Sequence, residues 1–350
     1  MAHLELQRAA VESSDIAEKF SLTGRVISGN FASTILVAAD RTDESREVVV
    51  KVLMKSELGS ELERRCALEE AAVHFTVLPH PNCVRLLAAE ESPEAIMLVT
   101  PLMPDGDLWG LMQYGQTFGE AQVKNCAGQM LSALRHLHDV CRLIHADIKP
   151  QNFLLSKAEG RLTLQLCDFG FAERPGPDGL VPFYMVRGTS GWLSPEMLHH
   201  EDYGFGIDLF GVGLILFRML GGYAPFDPPS KFQATVEYDE RCWCHVAEPC
   251  KEFVSKLLSL DPRDRGTAAE ACGHAWVEGP APEHPTEEQL AVVASCGPLP
   301  DFSIEFWPAD KVPDAKVDHW DADMSSTAVR SHSGFSDDDV DGSEFSDGSR

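Results

Sequence analysis

The sequence has no long apolar run. Its longest uncharged apolar stretch, residues 209–217, has nine residues, against the roughly 20 that a membrane helix needs. Positive charge is also scarce: 29 Lys and Arg stand against 55 Asp and Glu, a net charge of −26. That balance repels nucleic-acid phosphates and anionic lipid, so neither nucleic acid nor a membrane is expected as a partner. No signal peptide is expected, because Glu5, Glu12, Asp15 and Glu18 interrupt the first apolar positions. Ala2 follows Met1, where N-myristoylation needs glycine. Ten cysteines in such a chain read as reduced thiols rather than a disulfide framework. Together these features imply a soluble intracellular protein of the cytoplasm, the nucleus or both. What is present is 350 residues, 44% of them apolar, enough for one large domain or two small ones.

The acidity is uneven. Residues 278–350 hold 17 acids and 4 bases, and their end is mostly Ser, Gly and Asp. Such a segment buries too little apolar surface to offset chain entropy, so an acidic, largely disordered tail is expected there. The Pro-rich run at 279–285 marks its start. Residues 1–19 read as an N-terminal extension. Between them the body changes character. Residues 20–51 and 96–99 are strand-like, whereas 61–78 and 121–137 carry apolar residues at helical spacing. Gly and Pro clusters over 170–195 predict a long ordered loop, and helical patterns dominate beyond Asp208. An α+β fold follows, with a small strand-rich lobe (about 20–102) and a larger helical one (about 103–277).

The densest chemistry is His145, Asp147, Lys149 and Asn152, followed 16 residues after Asn152 by Asp168-Phe169-Gly170. Two carboxylates, an amide and a lysine at these spacings suit phosphoryl transfer. Asp147 can orient a hydroxyl and accept its proton. Asn152 and Asp168 offer oxygen ligands to Mg²⁺, and Lys149 can neutralise charge on the transferred group.

At these residues the chain resembles a eukaryotic protein kinase, with the H-R-D-x-K-x-x-N catalytic loop and D-F-G. The resemblance runs over 258 of the 350 residues. Residues 48–51 resemble V-A-I-K, which implies that Lys51 holds the ATP phosphates and Glu70 is its helix partner. Ser194-Pro195-Glu196 resembles A-P-E. Asp208 resembles the start of the D-x-W-S-x-G helix, and Arg265 the arginine that pairs with Glu196. By the same resemblance Ile27, Gly29, Phe31 and Thr34 belong to the glycine-rich loop, where only Gly29 keeps the pattern. Weaker ATP binding or slower turnover is expected from that. Val49 and Leu154 are implied as roof and floor of the adenine pocket. Thr100 aligns with the gatekeeper, and Pro101 and Met103 with the hinge, where Pro101 contributes only its carbonyl.

Ala146 stands where the family usually has arginine, which normally pairs with a phosphate on the activation loop. Residues 171–188 contain no Ser or Thr, and their only hydroxyl is Tyr184. Receptor and modification site are missing together, which predicts a kinase independent of activation-loop phosphorylation. Lys149 and the run Gly188-Thr189-Ser190-Gly191-Trp192 resemble serine/threonine kinases, with Thr189 bonding Asp147 and Lys149. The pattern is closest to the calcium/calmodulin-dependent group, yet it shows no EF-hand and no basic amphipathic helix after Trp276, so calmodulin is not expected as a partner. Gln151 and Arg218 replace two glutamates of strongly basophilic members, while Asp107 remains. A weak or altered basic preference is expected. His74 is expected in a packed column with Phe169 and His145. The reading is a monomeric serine/threonine kinase using ATP and Mg²⁺ on a protein substrate. The alternative is a pseudokinase scaffold or binding module.

Overall fold

The computed structural model describes residues 2–29, 33–58, 61–113, 118–158, 161–226, 232–233 and 235–279. The predicted tail beyond 279 lies outside the described residues.

The first lobe is built on an antiparallel sheet of β1 (Phe20–Gly29), β2 (Ser33–Asp40), β3 (Asp43–Met54), β4 (Ala88–Glu91) and β5 (Ala95–Pro101), ordered β1-β2-β3-β5-β4. Strand alternation divides its faces. Val48, Val50 and Val52 are fully buried on one side, whereas Val49 and Lys51 between them are half-buried on the other. Two helices ahead of the sheet, α1 (Ala2–Glu12) and α2 (Ile16–Lys19), cover the valine face. They bring Ala10, Val11 and Ile16 into one cluster with Leu36, Val50 and Met97. The free N–H groups of Asp15 and Ile16 donate to the Glu90 carboxylate of β4 at 3.1 and 3.0 Å, which satisfies the start of α2. The stretch that reads as an extension in the sequence therefore shares the lobe's core. On the opposite face, α3 (Glu61–Thr76) packs Ala67 against Leu53, Ile96 and Leu98.

The second lobe is helical. Its helices are α4 (Leu108–Gln113), α5 (Glu120–Arg135), α6 (Pro195–Leu198), α7 (Gly206–Gly221), α8 (Glu240–Trp243), α9 (Glu248–Leu257), α10 (Ala268–Cys272) and α11 (Ala275–Glu278). The segment predicted helical over 121–137 ends its α-helix at Arg135. A π turn, His136–Cys141, follows and stops at Arg142 in the left-handed conformation, φ 54°. Helix α7 is apolar all round and is the lobe's axis, as expected of a fully buried helix. Every residue of it is buried except Gly206 and Arg218. Gly211 lets it approach the chain ahead of Pro150, since a Cβ there would fall 2.7 Å from Ile148 Cβ. A two-stranded hairpin, β6 (Phe153–Ala158) and β7 (Arg161–Leu166), completes the lobe. No helix among the described residues is long and apolar enough to cross a membrane.

Candidate active site

The hairpin brings two distant oxygens together. Phe153 pairs with Leu166, and the Cys167 N–H donates to the Asn152 carbonyl at 2.9 Å. Asn152 and Asp168, just outside the two strands, therefore become neighbours although 16 residues separate them in the chain.

The turn before Asn152 carries Asp147. Its Oδ1 accepts from the Thr189 hydroxyl at 2.7 Å, and its Oδ2 lies 2.6 Å from Lys149 Nζ. Lys149 Nζ also donates to Thr189 Oγ1 at 2.6 Å. Asn152 Nδ2 donates to the Asp147 carbonyl and to Oδ2, at 2.8 and 3.1 Å. The amide's nitrogen is thereby used internally, which leaves Asn152 Oδ1 as the acceptor for another group. Gly188, one residue before Thr189, has φ 98°, and a Cβ there would sit 2.7 Å from the Ala146 carbonyl. Only glycine admits that approach.

Asp208, in the first turn of α7 and fully buried, holds the catalytic turn in place. Its carboxylate accepts from the backbone N–H groups of His145 and Ala146 at 2.8 and 2.9 Å, and pairs with His138 Nε2 at 2.8 Å. Ala146 is left-handed, φ 62°, which costs about 1–2 kcal/mol. Hydrogen bonds to a charged acceptor contribute about 1.5–3 kcal/mol each, so the two from Asp208 outweigh that strain.

Lys51 enters from β3. Its Nζ lies 2.6 Å from Glu70 Oε1 of α3 and 3.8 Å from Asp168 Oδ1. Burial pulls the ammonium down, but Glu70 and Asp168 more than offset it, so its pKa is raised. Burial likewise pushes Asp168 up, yet Lys51, His145 and Lys149 together hold it below the usual carboxylate range. Lys51 and Asp168 are thus charged at neutral pH. Behind them Phe169 is stacked between His74 and His145, with centroids at 4.6 and 5.4 Å, the column expected from the sequence.

Val49 pairs with Thr100 across β3 and β5, placing both on the Lys51 face, and Pro101 follows opposite Val48. Val49, Thr100, Pro101, Met103 and Leu154 are all half-buried. The register revises one expectation. Thr34 pairs with Val52 and shares the buried valine face, while Ile35, opposite Lys51, lies on the cleft face. The alignment is off by one residue there, and a slip of one flips every side chain of a strand. Ile27 is 53% exposed where the β1–β2 register shifts, and Gly29 pairs with Thr34. Phe31 lies outside the described residues.

The activation segment is pinned at several points. Glu173 and Ile144 exchange backbone hydrogen bonds at 2.8 and 2.9 Å, and Val181 and Tyr203 do so at 2.7 and 3.1 Å. Glu173 Oε1 accepts from the hydroxyls of Tyr203 and Tyr184 at 2.8 and 3.0 Å. Arg187 Nε lies 2.9 Å from the same oxygen, an ion pair whose N–H is not aligned for a hydrogen bond. Ala146 packs in a small apolar cluster with Ile144, Val181, Met197 and Tyr203. Beyond the segment, Glu196 and Arg265 form a bidentate pair at 2.6 and 2.9 Å, both groups buried. The Glu173 cluster is the functional feature that sequence reading misses. Its members span residues 173–203, and no local pattern joins them.

The sequence pattern of the protein kinase domain matches residues 21–277, and the chain belongs to that family. Human serine/threonine-protein kinase DCLK3 is 31% identical over 290 residues, covering 79% of this chain and 43% of its own length. Human calcium/calmodulin-dependent protein kinase type 1B is 28% identical over 272 residues, 76% of this chain and 77% of its own. Myosin light chain kinase A of Dictyostelium discoideum is 28% identical over 257 residues, 71% of this chain and 85% of its own. The chain spans less than half the length of the human and mouse DCLK3 relatives, 43% and 34%. Helices α1 and α2 precede the matched span.

Proposed function

We propose that this chain transfers the γ-phosphoryl group of ATP to a serine or threonine of a protein, and does so without activation-loop phosphorylation. The observation that carries the reading is the closed set around Asp147. Its carboxylate is oriented by Thr189, Lys149 and Asn152, while Lys51 is already paired with Glu70 and near Asp168. Asp147 would orient the acceptor hydroxyl and take its proton. Lys149 would offset negative charge on the transferred group, and Lys51 would hold the phosphates. The β3–β5 face with Val49, Ile35 and Thr100, the chain at Pro101 and Met103, and Leu154 from the other lobe would enclose the base. Asn152 Oδ1 and the ionised Asp168 form an oxygen donor set suited to a hard cation, and would hold Mg²⁺. When bound, that ion neutralises phosphate charge.

Independence from loop phosphorylation follows from the Glu173 cluster. A carboxylate already supplies the negative charge that Arg187 meets, and Tyr184 and Tyr203 share it. An apolar cluster occupies the ground beside Ala146 where a phosphate-binding arginine would be needed. The catalytic unit would span residues 20–277 with α1 and α2 docked on it, and would work inside the cell as a monomer without calmodulin.

The test is transfer from MgATP to a degenerate serine peptide library by the bacterially made chain, against Asp147→Asn. Loss of a general base is worth about 10²- to 10⁴-fold, and a drop of that size in the variant is expected. ATP binding with no transfer by the wild type would contradict catalysis and favour the scaffold reading.

A further inference from the structure

Arg218 is a buried cation that the catalytic machinery does not use. It is the one charged residue of α7 besides Asp208, and it sits at the helix's C-terminal end. Its guanidinium carbon lies 4.6 Å above the Trp192 ring. Its Nε is shielded from solvent with no hydrogen-bond partner. No ion pair or hydrogen bond engages the side chain among the described residues. Burial pushes its pKa down to about 10, and no carboxylate offsets the shift. Leaving such a group uncompensated is costly, so its retention in an apolar helix asks for a partner from outside the fold.

The position of that partner follows from Trp192. Its N–H donates to the Thr189 carbonyl at 3.0 Å, closing a turn, and Thr189 itself bonds Asp147 and Lys149. The other side of the Trp192 ring system meets the edge of Trp109 of α4, with centroids at 6.5 Å. Arg218 is thus separated from the Asp147 carboxylate by one turn and one indole. Such a turn spans under about 7 Å, and an extended peptide advances about 3.3 Å per residue. A group bound by Arg218 therefore lies within roughly three residues of the acceptor hydroxyl on the same peptide.

We propose that Arg218 is a specificity-determining residue that binds an anionic side chain of the protein substrate, a carboxylate or a phosphate, within three residues of the acceptor serine. The inference rests on the kinase reading above and narrows its substrate class to acidic or already phosphorylated peptides. A planar guanidinium suits both anions through paired N–H donors. Its stacking on Trp192 holds the plane in place, so little side-chain freedom is lost on binding. Gln151, beside the catalytic turn, carries no charge to compete for the cation.

The experiment uses the full chain and serine peptides in which Asp, phosphoserine, Ala or Arg is placed at each of the three positions on either side of the acceptor. Two quantities are read: equilibrium peptide binding by fluorescence anisotropy, and kcat/KM for transfer. The wild type is expected to favour Asp or phosphoserine over Ala at one position by about tenfold, the worth of one charge-assisted contact, and less at high salt. The Asp and phosphoserine arms tell which anion is preferred. Arg218→Gln is expected to abolish the ratio, Arg218→Lys to keep part of it, and Arg218→Glu to turn it toward Arg. A purely structural role for Arg218 would lower all peptides alike and leave the ratios unchanged, which would overturn the inference. So would a wild type with no acidic preference at any position. Selective binding without transfer would support the anion site while contradicting the catalytic reading, so the two failures are told apart.

Discussion

A single carboxylate oxygen, Glu173 Oε1, gathers two tyrosine hydroxyls and a guanidinium. Tyr203 is nearly inaccessible to solvent, and burial, with Glu173 beside it, pushes its phenol above the ordinary value. It therefore remains a donor at any physiological pH. In Glu173→Ala the Tyr203 hydroxyl and Arg187 lose their shared acceptor, at about 1–3 kcal/mol for an unsatisfied buried group. We expect faster amide exchange over residues 171–188 and a lower peptide kcat/KM with unchanged ATP affinity, measured by hydrogen exchange and steady-state kinetics. His74 gives a pH-dependent counterpart. Burial lowers its pKa below 6.5, and its ring meets the Val84 carbonyl at 2.8 Å. The unfolded chain therefore takes up a proton that the folded chain refuses, and stability falls as pH drops below 6.5. The melting temperature of His74→Gln, followed from pH 7.5 to 5.5, should fall less than that of the wild type.

Between elements, close approach decides what can change. Gly211 of α7 faces Ile148 so tightly that a methyl group would overlap it. Gly211→Ala should shift the turn that carries Asp147 and cost about 1–3 kcal/mol by overpacking, read as a lower melting temperature together with reduced transfer. Helix α1 behaves as part of the sheet it covers. Val11 is 1% exposed against Leu36, Val50 and Met97. Val11→Asp places an unpaired carboxylate there, and urea unfolding should show a loss of several kcal/mol. The catalytic turn was legible in the sequence because its residues lie within eight positions and each spacing has a chemical reason. The docking of α1 was not legible. Ala10, Val11 and Ile16 show no pattern that names the valine face as their partner. Thr34 was misplaced for a related reason, since glycines lost from the loop before it left the register of β2 free by one residue, and only pairing with β3 fixes which face each side chain takes. Arg218 stood out by its charge in an apolar run, but its stack on Trp192 needed the fold.

Across the whole molecule, the ion triad joins the two lobes. Lys51 comes from the sheet, Glu70 from α3 and Asp168 from beyond the hairpin of the second lobe. The cation of one lobe meets the anion of the other with no phosphate in the activation segment to draw them together. Order in that segment comes instead from Glu173, from the backbone exchanges at Ile144 and Tyr203, and from the buried Glu196–Arg265 pair at its end. Removing one partner of such a pair costs about 3–5 kcal/mol, so Arg265→Ala should melt far below the wild type in a calorimeter. The central claim is catalysis by the unphosphorylated chain, and the most direct measurement is the initial rate of phosphoryl transfer to the preferred serine peptide. The chain is made in bacteria, treated with a broad-specificity phosphatase that is then removed, and shown by intact mass to carry no phosphate at the start. The expected result is a rate equal to that of the untreated chain and linear from the first time point. A rate that is absent until phosphate appears on the activation segment, Tyr184 included, would contradict it.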